Sequence, residues 1–172
     1  GTADYKLVYS FASPPVRTGV YGYFDSAHAD DVDTCRSTMA YLFFYEGCLL
    51  SWHSKLHSYV TTSTNHSEYV ASSKAAREAC WYAKVFTFLG LRSAVQPIDL
   101  FNDSSGAIAM NHNPVHHEAN KHVAIADHFA REQVELGIIT MSHMRTDDLP
   151  ADALTKPLPK AKFFKLIQTF MN

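Results

Sequence analysis

Residues 63–89 constrain the chain more than any other stretch. Tyr69, Ser72, Ala76, Ala79, Ala83 and Phe86 recur there at three- and four-residue steps, while Lys74, Arg77 and Lys84 fall mostly off that line. This is the period of an amphipathic helix, so one long helix is expected, with the rest of the chain arranged around it. Thr64 or Asn65 is placed to cap the orphan amides of its first turn, and Gly90 to take the left-handed conformation that closes the last. Glu68 then falls in the first turn, where Asn65 reaching forward and Glu68 reaching back would form a capping box.

Ahead of that helix, residues 20–25 are aromatic and β-branched, as a strand should be, and end on Asp25. Residues 38–45 form a nearly continuous apolar run, the pattern of a strand buried on both faces. Glu46-Gly47 makes a tight hairpin turn into a third strand at 48–53. After Gly90, residues 97–102 give a short fourth strand running into Asp103, and 104–110 a short helix. A His- and Pro-containing loop at 111–119 precedes a helix expected over 121–136, which Gly137 ends. Residues 138–143 give a fifth strand. A polar turn and a helical start carrying Asp152 follow, then a basic amphipathic helix over 160–171. A three-strand meander, a helix, and then alternating strands and helices describe an α/β (α+β) fold, a five-stranded mixed sheet flanked by helices. Ligand sites in such sheets gather at the carboxyl ends of strands where chain direction switches.

At 172 residues and 47% hydrophobic content there is material for one domain with a core and too little length for two. Residues 1–18 read as a lead-in, with room for one edge strand at Leu7-Val-Tyr9 before Ser13-Pro-Pro breaks it, and 19–172 as the domain. The formal charge of −2 excludes a globally basic nucleic-acid binder, though a local basic face remains compatible with it. Lys55, Lys74, Arg77, Lys84, Lys156, Lys160, Lys162 and Lys165 could line one such groove. Cys35, Cys48 and Cys80 form no Cys-x-x-Cys pair, which argues against a disulfide framework or zinc knuckle and for a reducing, intracellular compartment. No run of eighteen apolar residues exists, so no membrane partner is expected, and a start without Met or a signal-like segment reads as a piece of something longer. Asn65 and Asn102 sit in glycosylation patterns but fall where packed structure is expected. Among ten histidines, His112, His116, His117, His122 and His128 lack zinc-site spacing and read as surface or packing residues, as does His66 in the expected first helical turn.

The carboxylates carry the chemistry. If the strands ending at Asp25 and preceding Asp103 are parallel neighbours at the sheet centre, both acids project from one edge, an arrangement that calls for a cation. Glu68 and Asp152, each near a helix start, can complete a ring. Singly, Asp25 has the alternative of a turn residue, Asp103 of a helix cap and Asp152 of an acid at a helix dipole. Four carboxylates without a His or Cys ligand set favour Mg²⁺ or Mn²⁺. Two such ions about 3.5–4 Å apart would stabilise the attacking water and the leaving oxygen in phosphodiester cleavage.

Taken in order, Gly22-Tyr-Phe-Asp25 with Asp31-Val-Asp-Thr-Cys-Arg-Ser-Thr38, Ser51-Trp-His-Ser-Lys55, Ser63-Thr-Asn-His-Ser-Glu68-Tyr, Asn102-Asp103-Ser-Ser-Gly-Ala-Ile, Lys121-His and Ala151-Asp152-Ala-Leu-Thr-Lys156-Pro-Leu resemble the ribonuclease H domain of copia-type (Pseudoviridae) retrotransposon Pol polyproteins. The resemblance implies a ribonuclease-H-like fold and two-metal hydrolysis of the RNA strand in RNA–DNA hybrids. It implies Asp25, Glu68, Asp103 and Asp152 as metal-binding catalytic carboxylates, and His143 as an aid to product release or proton transfer. It also implies an adjacent reverse transcriptase domain, and a place in the cytoplasm, within a virus-like particle, or in the nucleus. The chain departs from the family pattern at Asp30 and Ala40, where glycines are usual, and at Ala119, Ala124 and Ala126. Those departures leave as the alternative a domesticated or decayed domain acting as a non-catalytic nucleic-acid or protein interaction module.

Overall fold

The computed structural model describes residues 2–9, 17–112 and 128–171. Ser13-Pro-Pro, the 113–119 loop with His116 and His117, Lys121-His122, Ala124, Ala126 and the first part of the helix expected over 121–136 lie outside the described residues. Five strands, β1 (Val20–Ala27), β2 (Thr38–Tyr45), β3 (Cys48–Leu56), β4 (Ile98–Asn102) and β5 (Ile139–His143), form one sheet in the order β3-β2-β1-β4-β5. β1, β2 and β3 pair antiparallel, whereas β4 runs parallel to both β1 and β5. The chain adds β2 and β3 on one side of β1 and β4 and β5 on the other, so the topological switch lies between β1 and β4, the two strands that lead to Asp25 and Asp103.

At the β2–β3 hairpin Glu46 and Gly47 both take positive φ, 50° and 79°, the turn whose twist matches that of the flanking strands. The Glu46 carboxylate also accepts from the Gly19 amide at 2.7 Å, tying the hairpin to the start of β1.

Helix α1 (Thr64–Phe88) spans one face of the sheet, roughly 37 Å at 1.5 Å per residue. It lies close because its contact stripe is small: Ala71, Ala75, Ala76, Ala79 and Ala83 are buried against Phe24, Met39, Phe43, Ile98 and Leu100. Gly22 belongs to the same close packing, since a Cβ there would lie 2.8 Å from the Phe43 ring and 3.0 Å from Leu100. The cap is Ser63 rather than Thr64 or Asn65: its backbone is extended and its hydroxyl accepts from the His66 amide at 3.1 Å. At the other end Gly90 (φ 70°) donates to Thr87 O and Leu91 to Phe86 O, the paired closure expected of a glycine there.

Helices α2 (Ser105–His112) and α3 (Phe129–Glu135) pack beside α1. The opposite face of the sheet buries Tyr21, Leu42, Phe44, Leu49 and Phe101 under Leu149 and Ala151. These two belong to the short 3₁₀ turn Pro150–Leu154 and its lead-in, which is followed by α4 (Lys160–Ile167). The lead-in forms no strand over residues 2–9. Leu7, Val8 and Tyr9 are solvent-exposed, and the segment docks instead through Tyr9, whose hydroxyl donates to Leu49 O at 2.8 Å, and Tyr5, whose ring lies 5.9 Å from that of Phe164, tilted 31° to it.

Candidate metal centre

Parallel pairing of Tyr23 with Phe101 carries the register two residues further, to Asp25 and Asp103 on one edge of the sheet. Asp25 is not a strand-end turn residue, for β1 continues to Ala27. Asp103 is not the cap of α2, because the Ser104 hydroxyl takes that place and accepts from the Ala107 amide at 3.1 Å. With Ser63 as the cap of α1, the capping-box position is His66. Glu68 lies two residues further on and faces the sheet rather than its own helix end. Gly106 lets α2 begin against the start of α1, where a Cβ would lie 2.5 Å from Asn65 Oδ1. One carboxylate oxygen from each of Asp25, Glu68 and Asp103 lies within 4.8 Å of the others.

Asp25 and Glu68 are 1% and 3% exposed, while Asp103 is half-buried. Burial, opposed by Lys156 and by a hydrogen bond from Thr155, and assisted by Asp152 and Asp103, pushes the Asp25 carboxyl up to about 6. Burial also drives Glu68 well above the usual carboxylate range, with Asp25 and Asp103 adding to the effect. Asn102 braces the pair: its amide nitrogen donates to Glu68 at 3.1 Å and to Phe24 O at 2.8 Å, and its oxygen accepts from the Ser104 amide at 2.8 Å. Three clustered hard oxygen donors, two of them buried where protons are favoured over charge, fit a divalent cation of the Mg²⁺ or Mn²⁺ type.

Asp152 stands apart from this cluster. It is fully buried in the Pro150–Leu154 turn, and its two oxygens meet Lys156 Nζ and Lys162 Nζ, the latter at 2.6 Å. Lys156 Nζ also lies 4.0 Å from Asp25 Oδ2, so an ammonium group sits between the first acid and the last. Burial alone would lower the Lys156 ammonium, but Asp152, Asp25 and Asp103 outweigh it and hold the group above its ordinary range. Next to it, the Thr155 hydroxyl donates to Asp25 Oδ2. His143 closes β5 rather than lying on a loop, and its Nε2 donates to Asp103 O at 3.1 Å on the exposed rim.

Asn102, Thr155, Lys156 and Lys162 were not singled out at the site by sequence reasoning. A polar residue closing the apolar strand before Asp103, and the Thr-Lys pair of the Asp152 block, were the available signals. His66 is buried rather than at the surface, and its Nδ1 contacts the Thr62 hydroxyl at 3.1 Å. His112 bonds Met141 O and His128 the Tyr69 hydroxyl, both packing roles. The basic residues do not share one groove: Lys55, Lys74 and Arg77 line one flank of α1, Lys84 the other, and Lys165 pairs with Asp148.

No protein-family model matches the chain. It is 34% identical over 163 residues, 95% of its length, to the retrovirus-related Pol polyprotein from transposon TNT 1-94 of Nicotiana tabacum. To that from transposon RE1 of Arabidopsis thaliana it is 35% identical over 144 residues, 84% of its length. The chain spans only 12% and 10% of those relatives. Among solved structures it is similar to LC11-RNase H1, isolated from compost, with a TM-score of 0.54 at 13% identity, covering 81% of this chain and 94% of that one. The same protein in complex with an RNA/DNA hybrid gives a TM-score of 0.51 at 15% identity, covering 79% and 93%. The fold is thus ribonuclease-H-like, and the relatives of the sequence are copia-type Pol polyproteins of plant transposons.

Proposed function

For a chain that is a relative of one segment of copia-type Pol polyproteins and has the ribonuclease-H-like fold, we propose the activity of a ribonuclease H: endonucleolytic hydrolysis of the RNA strand in RNA–DNA hybrids, with two Mg²⁺ or Mn²⁺ ions, beside a reverse transcriptase domain. The observation that carries this reading is the convergence of Asp25, Glu68 and Asp103, from a strand, a helix and a strand-to-helix junction, to within 4.8 Å. The hybrid-bound state of LC11-RNase H1 supports the choice of substrate.

Asp25, Glu68 and Asp103 would hold the metal, which supplies charge neutralisation at the phosphate and a more acidic bound water. The chain's own contribution is orientation. Asn102 fixes the Glu68 carboxylate, Thr155 fixes that of Asp25, and the burial of both keeps bulk water from competing for their oxygens. Lys156 adds positive charge between Asp25 and Asp152, where it would attract a substrate phosphate or yield Asp152 to a second ion. His143, on the rim beside Asp103, would move a proton or help product leave. Incubation of a labelled hybrid in low salt with Mg²⁺ or Mn²⁺ tests the reading. The wild-type protein should cut the RNA and Asp103→Asn should not, whereas equal cutting by both would remove the carboxylate cluster from the mechanism.

A further inference from the structure

A groove of about 500 Å³ runs along the flank of α1 that overhangs β3, away from the three acids. Tyr41 and His53 form part of its lining as a stacked pair, rings 5.1 Å apart and 18° from parallel. Burial and then Lys55 lower the His53 imidazole, which keeps this platform neutral. Its exposed lining is Ser58 and, from β3, Lys55, with Lys74, Arg77 and Trp81 from α1, giving three cations and a solvent-facing indole. Lys74, Arg77 and Trp81 follow one another at steps of three and four, so they share one helical face. The acid of the groove, Glu78, accepts a hydrogen bond from Ser51 at 3.0 Å. Arg77 extends over the Phe129 ring at 5.4 Å, across the outer surface of α1.

The groove also has a defined position relative to the acids. Met39, in its lining, pairs across the sheet with Ser26 on one side and Lys55 on the other. Lys55 thus lies two strands, roughly 10 Å, from the residue following Asp25. Along α1, Lys74 lies six residues and Trp81 thirteen residues beyond Glu68, roughly 9 and 20 Å. A strand leaving the acid edge would meet Lys55 and Lys74 first and Trp81 last. In a chain of net charge −2, concentrating three cations around an exposed indole favours a phosphate backbone whose bases can stack. Stacking on Trp81 needs an open base face, which unpaired bases offer and the interior of a duplex does not.

We propose that this groove binds the single-stranded extension of a nucleic acid whose paired part lies at the acids, with Lys55 and Lys74 on its phosphates and Trp81 under a base. The inference rests on the hydrolase reading, and its test separates the two. Fluorescence anisotropy in low salt compares a blunt RNA–DNA hybrid with the same hybrid carrying a single-stranded oligothymidine extension, using the wild-type protein, Trp81→Ala, Lys55→Glu/Lys74→Glu, and Lys84→Glu as a charge control on the other flank. The extension should tighten wild-type binding by about fivefold or more. Trp81→Ala and the double variant should lose that gain, and the double variant should also lower the salt slope by about one for each cation removed. Lys84→Glu should keep the gain, and all variants should cut the blunt hybrid like wild type. Cutting of the blunt hybrid with no gain from the extension, or a gain that survives Trp81→Ala and the double variant, overturns the inference and leaves the hydrolase reading standing. Absence of cutting by any protein overturns that reading instead, while a gain lost in the groove variants would still support the groove.

Discussion

The carboxylates on the two sides of Lys156 have been buried in opposite ways. Asp152 is fully buried and compensated by two ammonium groups. Asp25, Glu68 and Asp103 are gathered within 4.8 Å, offset by the edge of Lys156 and by hydrogen bonds from Asn102, Thr155 and the Ser26 backbone. Paired burial of a charge is a structural solution, whereas clustered burial of like charges costs stability unless a cation arrives. The difference separates an acid that holds the Pro150–Leu154 turn against α4 from a cluster whose oxygen donors fit a divalent cation.

The widest separation of the two groups should come from neutralising one acid in each. Asp152→Asn leaves Lys156 with the more distant Asp25 carboxylate at 4.0 Å and Lys162 with that of exposed Asp147 at 3.8 Å, the two lysine side chains being 37% and 23% exposed. We expect a loss of about 2–3 kcal/mol in urea unfolding, somewhat below the cost of breaking a fully buried pair because both ammonium groups keep some water. Asp103→Asn should do the reverse in metal-free protein and raise the melting temperature, since Asp103 adds to the repulsion on both Asp25 and Glu68. A loss of stability in both variants would erase the distinction.

The metal and pH dependence sharpen the comparison further. Asp25 is raised to about 6 and Glu68 well above its ordinary value, so folding favours their protonated forms. That contribution is complete below the unfolded carboxylate range near pH 4 and is lost as pH rises through about 6 and beyond. Metal-free protein should therefore melt progressively lower from pH 5 to pH 8, and added Mg²⁺ or Mn²⁺ should raise the melting temperature little at pH 5 and increasingly above pH 6. A metal effect that is constant with pH would place the ion elsewhere. The smallest expected change is that of Thr155→Val, which removes the hydroxyl donor to Asp25. It should cost about 1–2 kcal/mol at neutral pH, where the acceptor is charged, and less at pH 5, measured by the same unfolding titration.

Much of this was legible beforehand, and the rest shows where sequence reading stops. β2 occupies the expected residues because an apolar run bounded by a hairpin turn defines both ends of a strand. The adjacency of Asp25 and Asp103 followed from parallel central strands, and the sheet order supplies that pairing. The placement of Glu68 in a capping box failed because several residues from Ser63 to Asn65 are chemically able to cap, and only backbone geometry selects Ser63. The separation of Asp152 was hidden for a different reason. Its partners lie one turn ahead at Lys156 and ten residues on at Lys162, and a lysine in sequence carries no sign of whether it faces solvent or a buried acid. The same ambiguity concealed the division of the basic residues between the two flanks of α1.

The central claim is that Asp25, Glu68 and Asp103 form the metal site, while Asp152 in the free chain is neutralised by lysines. Calorimetric titration of Mn²⁺ into wild-type protein, Asp103→Asn and Lys156→Met at pH 7.5 tests it most directly. Wild type should bind, Asp103→Asn should lose binding while remaining folded, and Lys156→Met should keep the first ion. Wild-type affinity in Asp103→Asn, or loss of all binding in a folded Lys156→Met, would contradict the account.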